Sequence, residues 1–214
     1  MKTLAVILSV GERTEAFCKH LMTLQVKDVK ILKGYGRAEA IKKSWEVGLE
    51  ADRLILIPAD CFILPGVVDK LIDSIGDNDR VSGYCYDKFR GRELGGVICY
   101  NSKFLPKALE AWSGFKTNLR PESSLVKAIG KYKIIDVDTA LHEYELDYRE
   151  IYDKYMFTKV KYPAVLAMIP KFEKRAVEDA DYKAVLQALR DQKFSMGKKG
   201  KMKTYAQLKK QYDL

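Results

Sequence analysis

Residues 52–66 read DRLILIPADCFILPG and contain the strongest structural signal in the chain. The apolar run at 54–57 predicts a buried strand, and Pro65-Gly66 predicts a turn that opens a helix. Asp60 lies just beyond the strand. Ligands of open α/β sheets bind at the carboxyl ends of the strands, and a carboxylate there is suited to hold a metal ion that in turn holds a diphosphate.

Strands and helices alternate on both sides of this stretch. The apolar spacing predicts strands at 4–10, 29–32 and 54–57 and helices at 15–25, 37–49 and 67–75. This βαβαβα order predicts a parallel, doubly wound sheet. In the second half we expect strands at 81–86, 96–100 and 133–137, helices at 103–112, 122–129, 144–155 and 176–189, and a mobile polar loop at 87–93.

The composition fits one medium-sized domain. Of the 214 residues 47% are hydrophobic, which is enough for a core, and 31% are charged, which argues against a membrane protein. Residues 3–10 predict a first strand and not a signal peptide. The four cysteines (Cys18, Cys61, Cys85 and Cys99) show no CxxC spacing, so we expect them to be reduced and the protein to be cytoplasmic.

Basic charge is concentrated at the end of the sequence. Residues 193–214 hold seven lysines against Asp213 alone, which accounts for +6 of the net charge of +9. One interpretation is a solvated segment that aids solubility. The other is an electrostatic handle for a polyanion, either nucleic acid or an anionic membrane.

Three residues offer the chemistry of nucleotide-sugar transfer: Asp60 at a strand end, Glu122 at a helix start and His142 after a late strand. A departing nucleoside diphosphate needs its charge neutralised, which a divalent cation does without proton transfer. Oxygen ligands with one imidazole suit Mn²⁺ or Mg²⁺. A carboxylate base must deprotonate the acceptor hydroxyl. The second histidine, His20, is given no role.

Residues 3–145 resemble the GT-A fold glycosyltransferases, in particular the large inverting nucleotide-sugar transferase family. The resemblance lies in the order and spacing of five segments: SVGER at 9–13, LIPAD at 56–60, FILPG at 62–66, GGVI at 95–98 and RPE at 120–122. It implies a doubly wound mixed sheet with helices on both faces. It also implies a catalytic domain at 1–160, with a helical, lysine-rich extension at 161–214 packed on the same domain.

The resemblance implies a metal-dependent, inverting transfer of a sugar from a nucleotide-diphosphate sugar, with a UDP-sugar favoured, to a hydroxyl acceptor. Asp60 and His142 would hold Mn²⁺ or Mg²⁺, and Glu122 would be the general base. The residues that would contact the donor are Ser9, Gly11, Arg13, Gly34, Arg37 and Asp60, with Arg37 meeting the ribose or a phosphate.

The chain departs from the family pattern at two places. Pro58 replaces the first acid of the DxD motif and Cys61 replaces an acid often found just after it, so His142 or the diphosphate must supply further metal ligands. Lys33-Gly34 stands where the family often has an acid that recognises the base. The choice between a uridine and a guanosine donor is therefore open.

Each candidate residue also has a purely structural interpretation. Asp60 would cap the helix that follows it. Glu122 would be a first-turn acid favoured by the helix dipole. His142 would be an exposed histidine in a charged run, beside Glu143 and Glu145.

Several functions compete at this stage. The lysine-rich end suggests a polyanionic acceptor, such as a hydroxylated base in phage-type DNA; the rival acceptor is a saccharide of a surface polysaccharide or lipopolysaccharide. A nucleotidyltransferase would need a glycine-rich basic loop, whereas residues 11–14 contain one glycine. A non-catalytic nucleic-acid-binding module explains the lysines but not Asp60. The sequence leaves the oligomeric state open.

Overall fold

The computed structural model describes residues 1–115, 120–161, 163–191, 193–195 and 202–204. The chain divides into two compact units, Met1–Tyr144 and Glu145–Leu214, whereas the expected boundary followed residue 160. Most of the lysine-rich segment proposed as a polyanion handle, residues 196–201 and 205–214, lies outside the described residues.

The first unit is built on a seven-stranded mixed sheet. Its strands are β1 (Thr3–Ser9), β2 (Asp28–Lys33), β3 (Arg53–Pro58), β4 (Cys61–Ile63), β5 (Arg80–Asp87), β6 (Gly91–Asn101) and β7 (Tyr132–His142), in the order β2-β1-β3-β6-β5-β7-β4. The first three strands are parallel, as their βαβαβα order predicts. β6 runs antiparallel to β3 and β5, β7 runs parallel to β5, and β4 runs antiparallel to β7.

Helices cover both faces of this sheet. They are α1 (Glu15–Thr23), α2 (Arg37–Gly48), α3 (Val67–Ile75), α4 (Leu105–Glu110) and α5 (Pro121–Ile129), with short 3₁₀ helices at Ser102–Phe104 and Ala111–Gly114. Alternate residues of β3 point to opposite faces of the sheet, so each set packs into a different core layer. Ile55 and Ile57 pack with α1 and α3, whereas Leu54 and Leu56 pack with α2, α4 and α5. Each such fully buried side chain contributes roughly 1.5–3 kcal/mol.

The structure differs from the expectations at two places, and both matter for the site. The segment 87–93 is not a mobile loop, because β5 extends to Asp87, β6 begins at Gly91 and Phe89 between them is buried. No element was expected at residues 61–63. They form β4, because this short apolar run pairs with β7. The late strand expected at 133–137 therefore continues to His142.

The second unit contains α6 (Tyr148–Lys161), a 3₁₀ helix (Pro163–Met168), α7 (Ile169–Arg175), α8 (Asp181–Arg190) and the antiparallel pair β8 (Lys193–Ser195) and β9 (Met202–Thr204). The buried ammonium of Lys159 donates to the carbonyls of Ala188 and Asp191, so α6 caps the carboxyl end of α8. None of the helices in the described ranges is both long and apolar enough to span a bilayer.

Replacement of Gly83 by alanine should destabilise the sheet. A Cβ at this position in β5 would press on the carbonyl oxygen of Val137 and come within 2.7 Å of the Thr139 methyl group. Overpacking of this kind costs about 1–3 kcal/mol. Gly114→Ala is the control, because no atom lies within 4 Å of its added Cβ. Urea unfolding measures both variants, and equal stability of the two would contradict the close packing of β5 on β7.

Candidate active site

The parallel strands bring several predicted residues to one edge of the sheet. The Gly34 N–H donates to the carbonyl of Ser9 at 3.1 Å, which ties the end of β2 to the end of β1. The Ala59 N–H donates to the carbonyl of Leu8 at 2.9 Å, which ties the segment after β3 to the same place. The predicted donor segment and the Asp60 segment are therefore neighbours.

The loop after β1 is held by its own polar groups. The Ser9 hydroxyl lies 2.9 Å from Glu12 Oε2 and 2.5 Å from Glu15 Oε2, and it accepts a hydrogen bond from the Gly11 N–H at 2.9 Å. Gly11 adopts a φ of 98°, which disfavours a side chain. The hydrogen bonds from Ser9 and Lys33 lower the pKa of Glu15. These hydrogen bonds fix the loop, which presents Arg13 at the surface.

Asp60 follows β3 at a fixed position and does not cap a helix. The Thr14 hydroxyl donates to the carbonyl of Ala59 at 2.9 Å, which links the loop after β1 to the residue before Asp60. Helix α3 begins at Val67 with Gly66 as its N-cap, and β4 separates it from Asp60. The capping interpretation is therefore wrong, and the Asp60 carboxylate contacts a different side chain.

That partner is His142, the last residue of β7. The pairing of β7 with β4 and β5 places His142 opposite Cys61 on one side and Asp87 on the other. Its Nε2 lies 3.4 Å from Asp60 Oδ2, and its Nδ1 lies 2.9 Å from Asp87 Oδ2. The side chains of Asp60 and His142 are 15% and 16% exposed, so solvent reaches both.

Asp87 was missed at the sequence level because it fell in the segment expected to be a loop. It is fully buried and accepts hydrogen bonds from the backbone N–H groups of Phe89 and Arg90, at 3.0 and 2.8 Å. Burial alone would raise its pKa, but the hydrogen bond with His142 and the Arg90 guanidinium outweigh burial and hold the pKa well below its usual range. A signal was present, since Asp87 ends an apolar strand as Asp60 does.

The cluster around His142 carries more negative than positive groups. Arg90 lies 2.7 Å from Asp87, 2.9 Å from Glu93 and 3.8 Å from Glu143. Burial alone would lower the pKa of Arg90, but these carboxylates raise it. Together with Asp60, four carboxyl groups therefore surround one guanidinium and one imidazole. Such a cluster attracts a cation.

The donor atoms at this cluster fit a divalent cation. Asp60, Cys61 and His142 each offer one atom, and these three atoms lie within 4.8 Å of one another; Asp87, His142 and Glu143 form a second such group. Carboxylate oxygens and one imidazole suit Mn²⁺ or Mg²⁺, whereas a thiol prefers softer metals. The structure thus places Asp60 and His142 together, and their role as metal ligands stays a prediction.

Two other predicted residues of the first unit, Arg37 and Glu122, pair with each other. Arg37, at the start of α2, forms a 2.8 Å ion pair with Glu122, whose side chain is only 4% exposed. Glu122 Oε2 is buried without a hydrogen-bond partner among the described residues. Glu122 lies in the first turn of α5, as its structural interpretation requires. Within the described part of the chain, this pair contacts neither Asp60 nor His142.

Comparisons with known proteins find similarity only among solved structures. No family model and no curated protein matches the chain. Among solved structures, A197 from STIV is 18% identical with a TM-score of 0.50, and the match covers 69% of this chain and 87% of that one. A glycosyltransferase involved in glycosylation of the major capsid of PBCV-1 is 12% identical with a TM-score of 0.45, covering 69% and 95%.

The bifunctional IspDF from Campylobacter jejuni is also similar, with 12% identity and a TM-score of 0.48; the match covers 64% of this chain and half of that protein. At these identities the likeness concerns the fold alone. The predicted α/β fold class, a mixed sheet with helices on both faces, is confirmed by the strand order and the helices themselves. No particular glycosyltransferase family is indicated.

Replacement of Arg90 by methionine should destabilise the first unit strongly. The change removes the guanidinium that Asp87, Glu93 and Glu143 share, and loss of one partner of a buried ion pair costs roughly 3–5 kcal/mol. Arg92→Met is the matched control, because Arg92 pairs with the more exposed Asp136 and Asp138. Thermal unfolding compares the two, and a larger loss for Arg92→Met would contradict this account.

Proposed function

We propose that this chain is a nucleotide-sugar-utilising transferase. It moves a sugar from a nucleotide-diphosphate donor, with a UDP-sugar favoured, to a hydroxyl acceptor and uses Mn²⁺ or Mg²⁺. The observation that carries the proposal is the contact between Asp60, just beyond the end of β3, and His142, the last residue of β7, 3.4 Å apart at one edge of the mixed sheet.

The charge of the cluster supports a cation and, through it, a diphosphate. A diphosphate would be repelled by the partly exposed Asp60 carboxylate unless a cation were bound beside it. Asp60 and His142 would hold that cation, and both are partly exposed. When bound, the ion neutralises the negative charge that develops on the departing diphosphate.

The neighbouring loop supports a donor site at the same edge. Ser9 and Gly11 are fixed in place, and Gly34 is tied to Ser9 through a backbone hydrogen bond. The exposed Arg13 side chain, and Arg37 with 51% exposure, add positive charge that complements phosphate. These residues would bind the nucleotide and orient it relative to Asp60.

Inversion at the sugar rests on the family resemblance, with Glu122 as the proposed base. The carboxylate would take the proton of the acceptor hydroxyl while that oxygen displaces the diphosphate. The ion pair keeps the positively charged guanidinium of Arg37 beside the Glu122 carboxylate. The same contact gives Glu122 a second role, which is to position Arg37. The Glu122→Gln experiment below separates this role from that of general base.

The acceptor remains the hydroxylated DNA base proposed from the lysine-rich end, with a surface saccharide as the alternative. Contacts between lysines and phosphates would make DNA binding fall steeply as salt rises. The side chains of residues 193–214 are outside the described part of the chain, so this proposal rests on the sequence.

Removal of either proposed metal ligand should abolish metal-dependent turnover. We expect Mn²⁺ together with UDP or a UDP-sugar to raise the melting temperature of the native chain, since a ligand at a hundredfold excess over its Kd stabilises by about 2.7 kcal/mol. Asp60→Ala and His142→Ala should lose this shift, as well as Mn²⁺-dependent hydrolysis or transfer of the sugar.

The controls for this experiment are His20→Ala and Asp69→Ala, which replace an exposed histidine of α1 and an exposed acid of α3. Both should behave as the native chain does. A native chain that gains no stability from Mn²⁺ with any nucleotide sugar, or an Asp60→Ala variant with full turnover, would refute the proposed function.

Glu122→Gln should retain donor binding and lose transfer. The amide keeps the shape of the side chain but cannot accept a proton, and loss of a general base lowers turnover by about 10²- to 10⁴-fold. Donor affinity is measured by calorimetry and turnover by release of the nucleoside diphosphate. Weakened donor binding with normal turnover would instead assign Glu122 to holding Arg37.

A further inference from the structure

Both carboxylate oxygens of Asp87 are fully engaged in hydrogen bonds. Oδ1 accepts the backbone N–H groups of Phe89 and Arg90, and Oδ2 accepts from the Arg90 guanidinium at 2.7 Å and lies 2.9 Å from His142 Nδ1. Two carboxylate oxygens offer about four lone-pair sites. Asp87 is therefore poorly suited to bind a metal directly.

The contact between Asp87 and His142 determines which ring nitrogen carries hydrogen. An ionised carboxylate only accepts hydrogen bonds, so His142 Nδ1 must donate. A neutral imidazole has a single N–H, so its Nε2 then presents a lone pair. In the neutral ring that lone pair faces Asp60 Oδ2 at 3.4 Å, whereas in the protonated ring Nε2 carries hydrogen and donates to Asp60.

We infer that Asp87 is a positioning residue that fixes the ring orientation and the tautomer of His142, so that Nε2 is the nitrogen offered to a divalent cation beside Asp60. The inference deepens the proposed function and rests on it for the identity of the cation. Histidines that bind metals commonly donate their other N–H to a carboxylate, and loss of that carboxylate typically lowers metal affinity 10- to 100-fold.

The strand pairing makes this arrangement rigid. Asp87 and His142 are in register in the parallel pair β5 and β7. The backbone beyond them is joined as well, because the Lys88 N–H donates to the carbonyl of His142 at 3.0 Å. The buried Phe89 anchors the turn whose N–H groups hold Asp87.

The tautomer is measured directly by ¹⁵N NMR of the metal-free native chain. The chain has only two histidines, so the exposed His20 is an internal reference and a His142→Gln variant assigns the signals. At a pH where the ring is neutral, we expect His142 to be protonated at Nδ1. In Asp87→Asn the Nε2–H form should appear, because the amide can donate to Nδ1. A native His142 protonated at Nε2 overturns the inference.

The metal affinity is a second readout, measured with Mn²⁺ by electron paramagnetic resonance. Asp87→Asn should bind Mn²⁺ about 10- to 100-fold more weakly than the native chain. The control, Asp138→Asn, removes an exposed carboxylate of β7 and should bind normally. Equal Mn²⁺ affinity of Asp87→Asn and the native chain overturns the inference.

The two readouts separate this inference from the proposed function. A native chain that binds no Mn²⁺, with or without a nucleotide sugar, refutes the function, whereas the tautomer of the metal-free chain still decides the role of Asp87. If Asp87→Asn does not fold, the native tautomer alone confirms or overturns the inference.

Discussion

The pairing of β7 with two strands at once is the constraint on which the candidate site depends. β5 on one side carries Asp87, and β4 on the other follows directly after Asp60. Because β7 ends at His142 between them, a single imidazole meets two carboxylates that come from distant parts of the sequence. Of the other members of the cluster, Arg90 and Glu143 follow these strand ends in sequence, and Glu93 lies near the start of β6.

The regular half of the fold was readable from the sequence because its signals are local. The apolar run at 54–57 and the helical spacing of residues 37–49 each identify one element, and parallel βαβ order has few alternatives. Asp60 stood out because an acid directly ended a strand. The register of β7 against β4 and β5 was not readable, since pairing of distant strands leaves no short-range pattern.

The errors have specific physical causes. The segment 87–93 is polar because Arg90 pairs with both Asp87 and Glu93 inside it, and a polar run of this kind resembles a solvated loop. Residues 61–63 are too few to show strand alternation, so β4 was visible only through its partner. The contact of Arg37 with Glu122 joins α2 to α5, and no spacing in the sequence relates the two positions.

β4 is a three-residue strand at the outer edge of the sheet, held through its pairing with β7. Short edge strands open more readily than central ones. A cation bound by Asp60 and His142 would link β4 to β7, because Asp60 directly precedes β4 and His142 is the last residue of β7. Cation binding and the pairing of β4 with β7 would then be coupled: the cation would stabilise the pairing, and the pairing would raise the affinity for the cation by the same factor.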